Sequence, residues 1–147
     1  MDSRGVFLDT NLLVLLVVGS VDRVQVERHR RTRRFTVEDY DRLVRLLEGL
    51  EHVFVTPNTL TEASNLLERR GDPRFLRQLR RLIEVSREIV VVSTEAAKAP
   101  AFERLGLTDA ALLQAISNRR PLLTVDLDLY AAALAKGPDH AFNLTHG

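Results

Sequence analysis

Four short apolar runs recur along the chain at strand length: Gly5 to Leu8 (GVFL), His52 to Val55 (HVFV), Glu88 to Val92 (EIVVV) and Pro121 to Val125 (PLLTV). Apolar residues at consecutive positions are the mark of strands covered on both faces. Between the runs, apolar positions return at helical spacing. Tyr40, Leu43, Val44, Leu46, Leu47 and Leu50 predict a helix opened by Thr36, with Asp39 in an acidic first turn that suits the helix dipole. Thr56 before Pro57 predicts a second helix, running towards Arg70 and stopped at Gly71. Asp72 before Pro73 predicts a third, with Phe75, Leu76, Leu79, Leu82 and Ile83 on one face. Thr108 is expected to cap a fourth, containing Ala111, Leu112, Ala115 and Ile116, and a fifth runs from about Asp128 to Lys136 before Gly137. Strands alternating with helices predict an α/β fold, a three-layer α/β/α sandwich around a mainly parallel central sheet.

Asp9 interrupts the apolar stretch GVFLDTNLLVLL. Wedged between VFL and LLVLL, it reads as gaining little as a cap, and an acid buried there unpaired would cost several kcal/mol. In parallel sheets ligands gather outside the carboxyl ends of the strands. Acids are delivered to that edge from four places: Asp9 after the first strand, Glu62 in the helix after the second, Asp109 at the start of the fourth helix, and Asp126 after the last strand, with Asp128 close behind it. Singly, each has an ordinary role: Asp109 complements a helix dipole, Asp126 or Asp128 caps a helix, Glu62 is a solvated flank. Together they would repel one another, and some would take up protons unless a cation intervened. Mg2+ or Mn2+ is the natural cation for hard oxygen donors. Such a site polarises a phosphoryl oxygen and activates water, which predicts metal-dependent phosphodiester hydrolysis.

Composition narrows the alternatives. The chain has 147 residues, 45% of them hydrophobic, and a formal charge of +1, which fits one soluble domain over 1–147. Cysteine is absent, so thiolate nucleophiles, cysteine zinc sites and disulfides are excluded. His29, His52, His140 and His146 show no metal-ligand spacing, and neither a serine-hydrolase elbow nor a phosphate-binding glycine loop occurs. The N-terminal MDSR has no net positive charge and the following apolar run is broken at Asp9 to Asn11. A signal peptide or membrane span therefore does not fit, and a cytoplasmic protein without a membrane partner is expected.

One segment stands apart: Val21 to Phe35 holds six arginines against two acids. Arg28, Arg30, Arg31, Arg33 and Arg34 are candidates for sequence-independent phosphate contacts, and Phe35 for a stacking surface. A solvated basic loop or an oligomer contact is the alternative. A second group, Arg69, Arg70, Arg74, Arg77, Arg80 and Arg81, reads as a solvated helix face accompanied by Glu68 and Glu84.

FLDTNLL, then the isolated glutamate of TPNTLTEASNLL, then LGLTDAALL, then LLTVDLDLY, in that order and at those distances, resemble the PIN-domain nucleases, particularly the VapC-like toxins of toxin-antitoxin pairs. The resemblance spans almost the whole chain. It implies that Asp9, Glu62, Asp109 and Asp126 are catalytic, bind Mg2+ or Mn2+ and activate water against a phosphodiester, usually of RNA, which makes the chain an endoribonuclease. By the same resemblance Asp128 is an auxiliary metal-binding acid, and Thr10, Asn11 and Thr124 orient the carboxylates by hydrogen bonds. It also implies an RNA substrate, an antitoxin protein as partner and a homodimer. The Arg-rich stretch at about 21–35 departs from the family pattern and reads as an insertion. Two alternatives remain open: the same chemistry in RNA processing or repair outside a toxin system, and a PIN-like module that binds nucleic acid or protein without cutting. LLTVDLDLY also resembles the strand-plus-DxD start of a haloacid-dehalogenase-type phosphatase, but too few residues follow Asp128 to supply the rest of that domain.

Overall fold

In the computed structural model, which describes residues 4–67 and 71–144, five short strands pair in parallel: β1 (Gly5–Leu8), β2 (His52–Val55), β3 (Arg87–Glu88), β4 (Leu122–Thr124) and β5 (Ala141–Asn143). Their order across the sheet is β3-β2-β1-β4-β5. The helices are α1 (Thr10–Val21), α2 (Val37–Glu48), α3 (Pro57–Leu66), α4 (Pro73–Val85), α5 (Ser93–Ala96), α6 (Phe102–Leu105), α7 (Leu107–Ala115) and α8 (Leu127–Lys136), with a 3-10 helix at Arg23–Glu27. This is the expected α/β sandwich, and its sheet is wholly parallel.

Strand periodicity divides the core in two. Val6 and Leu8 of β1, Val55 of β2 and Leu123 of β4 pack with α1, α3 and α4 on one face. Phe7, Phe54 and Leu122 point the other way, into Leu112, Leu113, Leu129 and Ala133 of α7 and α8. Alternate residues of each strand are thus buried on opposite faces, which is why the runs are mostly apolar at consecutive positions.

The caps follow the sequence closely. Thr36 and Asp39 form a reciprocal capping box on α2, Thr56 and Thr59 another on α3, and Asp72 accepts from the Arg74 amide at the start of α4. Three expectations need correction, and one helix was not expected. The run Glu88 to Val92 is strand only at Arg87–Glu88, after which Val90 and Val92 emerge 71% and 62% exposed beyond the sheet edge. LLVLLVV is a helix, α1, buried on nearly all sides and so without an amphipathic stripe. Asp9 is its N-cap, accepting from the Leu12 amide at 2.8 Å. Thr108 caps nothing: α7 begins one residue earlier, after Gly106 at φ 87°, a left-handed conformation that glycine tolerates. Helix α3 is helical to Leu66; its expected extension to Arg70, together with Glu68, Arg69 and His146, lies outside the described residues.

The Arg-rich segment is an ordered element. After the 3-10 helix the chain turns from residue 28 to 35. Thr32, fully buried, donates to the Val26 carbonyl at 2.7 Å, and Glu27 accepts from the Val37 amide at 2.8 Å. Phe35 is buried in the core at 4% exposure, so it cannot serve as a stacking surface.

Candidate functional site

The sheet order reverses at β1, which pairs with β2 on one side and β4 on the other. The helices that follow these strands diverge to either side of such a point, leaving a crevice beyond the strand ends where ligands settle. Asp9 follows β1 and Asp126 closely follows β4, so the two acids flank that crevice.

Asp9 is 3% exposed. Its Oδ1 accepts from the Leu12 amide, and its Oδ2 accepts from the Val125 amide at 3.1 Å and from the Thr124 hydroxyl. Burial raises its pKa above the usual carboxylate value, while these three donors oppose the rise. The Thr124 oxygen also accepts from the Asp126 amide at 3.0 Å, so one hydroxyl joins the two acids. Asp126 in turn caps α8 by accepting from the Leu129 amide at 3.1 Å.

Glu62 on α3 is exposed and clasped between two threonines. Its Oε1 accepts from Thr10 of α1 at 3.3 Å, and its Oε2 from Thr108 of α7 at 2.5 Å. One carboxylate therefore ties three helices together at the sheet's carboxyl edge. Thr108 is a site residue that sequence reading mistook for a cap; its place immediately before Asp109 in LTDAAL was the available signal.

Asp109, in the first turn of α7, accepts no hydrogen bond among the described residues. Burial, and then the charges of Asp126, Glu62 and Asp9, push its pKa to about 7. Among the described residues the charged groups acting on it are the other three carboxylates, which brings all four acids of the edge within electrostatic reach. Of the remaining expected residues, Thr10 and Thr124 do orient carboxylates, whereas Asn11 bonds to none. Asp128 is exposed in the first turn of α8 and acts on neither Asp9 nor Asp109.

The fit to a divalent cation is one of charge and chemistry before geometry. Among the described residues, no three acidic or histidine side chains stand in a ready-made ligand group. Asp9, Asp126 and Glu62 are each turned towards a local donor instead. The donor set is nonetheless all hard oxygen, and Asp109 faces three other acids with no partner of its own among the described residues, the condition that a hard cation relieves. A hollow of about 480 Å3 lined by Arg104, Leu113 and Lys136 contains none of the four acids.

Arg28, Arg30, Arg33 and Arg34 are exposed and Arg31 is partly covered, its Nε buried without a hydrogen-bond partner. Among the described residues no helix is long and apolar enough to cross a membrane. Compared with protein-family models, with curated proteins and with solved structures, the chain has no match in any of the three.

Proposed function

We propose that the chain is a metal-dependent nuclease of the PIN-domain kind that hydrolyses phosphodiester bonds in RNA. The observation that supports this most is the gathering of Asp9, Glu62, Asp109 and Asp126 at the β1/β4 crevice, where burial, and then repulsion from the other three acids, raises Asp109 to about 7. Mg2+ or Mn2+ held by these four acids, with Asp128 at the margin, would supply positive charge to the phosphoryl oxygens and acidity to the attacking water. The chain's own contribution is position. Thr124 and the Val125 and Leu12 amides fix both oxygens of Asp9, and Thr10 and Thr108 fix Glu62.

One observation favours a rival, a PIN-like module that binds nucleic acid or protein without cutting: the carboxylates are not assembled as ligands. Labelled single-stranded RNA, incubated with and without Mn2+, separates the two. Cleavage is expected to require the ion and to fall at least about a hundredfold in Asp9→Asn. Asparagine caps helices as well as aspartate does, so that variant keeps α1 intact. Cleavage indifferent to chelator or to Asp9→Asn would sink the proposal. Within it, the toxin of a toxin-antitoxin pair is the narrower reading, supported by growth arrest when the chain is expressed alone; survival would favour RNA processing or repair.

A further inference from the structure

We propose that the groove between the C-terminal end of α1 and the outer face of α4 is a second RNA-contacting surface, one that grips backbone phosphates at a distance from the carboxylates. This rests on RNA being the substrate.

Arg74, Arg77, Gln78 and Arg81 fall three and four residues apart along α4, so they share one face of the helix. With Ser20 and Val21 of α1 they line a cavity of about 220 Å3. The lining is dominated by donors. A guanidinium has five N–H groups and no acceptor, and three of them meet here beside an amide and a hydroxyl. Such a wall is complementary to phosphate oxygens. Arg74 is held by Asp72, its Nε donating at 2.8 Å. Arg77 and Arg81 make no hydrogen bond or ion pair among the described residues, and both are exposed.

A merely solvated face would intersperse charges of both signs. Helix α4 does not: it carries Arg74, Arg77, Arg80 and Arg81 against Glu84, its single acid, and Glu84 forms no ion pair among the described residues. Like charges four residues apart, such as Arg77 and Arg81, weaken a helix slightly, so the row is not there for the helix. Beyond Arg81 the groove continues over an apolar floor that includes Leu82 and Val85. Phosphates at one end and an apolar floor at the other suit a nucleotide chain better than a small anion.

The Arg-rich segment joins this surface. The His29 ring meets the Phe75 ring of α4 edge-on, with centroids 5.1 Å apart, which pins residues 28–34 against the start of α4. The 12 residues of α1 rise roughly 18 Å from the Asp9 cap to the groove. No single phosphate reaches both places, so the groove serves a strand several nucleotides long.

The test measures binding of labelled oligouridine, about 16 nucleotides long, to Asp9→Asn protein across a salt series. R77Q/R81Q is expected to weaken binding about tenfold or more and to lower the slope of log K against log salt by about 1.4, at about 0.7 per cation for single strands. R77K/R81K retains the charge and should restore most of the slope, while R45Q/R104Q removes the same charge elsewhere and should leave the slope close to the parent's. Melting curves check that each variant is folded. Equal slopes in R77Q/R81Q and R45Q/R104Q, no binding of the oligomer by the parent, or binding of polyglutamate in place of RNA would each overturn the groove assignment. The nuclease reading is scored separately on wild-type protein. A slope that falls in R77Q/R81Q without any Mn2+-dependent cleavage keeps the groove and removes that reading; cleavage with an unchanged slope does the reverse.

Discussion

Asp109 has the least local support of the four acids. Asp9, Glu62 and Asp126 accept hydrogen bonds from named donors, whereas Asp109 accepts none among the described residues and its pKa is pushed from 3.8 to about 7. Between those values the folded chain holds a proton that the unfolded chain has released. The stability this contributes is fully present below the lower value and is lost as pH rises through the upper one. Asp9, raised chiefly by burial, acts in the same direction. Asp41 and Asp72, held low by Arg23 and Arg74, act oppositely but in another window: their contribution is present above the ordinary carboxylate value and is lost only on further acidification. In chelator, stability is therefore expected to fall from about pH 4 to about pH 7. Asp109→Asn removes the charge and keeps the shape, so it should flatten that fall. Discounted for solvent screening, the gain at the upper pH is on the order of 1 kcal/mol. Urea titrations across the pH range check this; a marked loss of stability in Asp109→Asn would identify the residue as a structural support of α7 instead.

At the level of elements, α1 carries the site at one end and packs α2 closely at the other. A Cβ on Gly19 would run into the Tyr40 ring of α2, whose hydroxyl lies 3.5 Å from Ser20 Oγ. Glycine within a helix ordinarily gives up about 0.5 to 1 kcal/mol relative to alanine. Here the sign reverses, and Gly19→Ala is expected to cost about 1 to 3 kcal/mol from overpacking. In a Tyr40→Ala background that penalty should vanish, a coupling that a double-mutant cycle in urea reads directly; simple additivity would refute the contact. Elements whose ends are set by local chemistry were legible beforehand, as Thr36 with Asp39, Thr56 before Pro57 and Asp72 before Pro73 all show. Helix α1 was not, because a segment buried all round has no period to betray it. Nor was β5, three residues long, or the exposure of Val90 and Val92, since an apolar residue at a sheet edge has the same letter as one in the core.

For the whole molecule, the sheet order decides what the acids can do together. That acids follow the strands was readable from the chain, but their meeting depends on β4 lying beside β1, a long-range pairing that no local pattern encodes. The clasp of Glu62 by Thr10 and Thr108 depends on three helices arriving at one edge and was equally hidden. Among the described residues the assembled edge lacks a counter-charge, and that leads to a thermodynamic test independent of any substrate. An ion that binds only the folded chain stabilises it by about 2.7 kcal/mol at a hundred times its Kd, which corresponds to roughly 5 to 10 °C in Tm for a domain of this size. Mn2+ should produce a shift of that order in the wild-type protein. Asp9→Asn and Asp109→Asn should each lose most of it, whatever they do to the starting Tm. Asp41→Asn, which breaks the exposed pair with Arg23, should change the starting Tm while keeping the shift. A shift equal in all four proteins would mean that manganese binds the surface at large, and the crevice between β1 and β4 would then have no claim to be a metal centre.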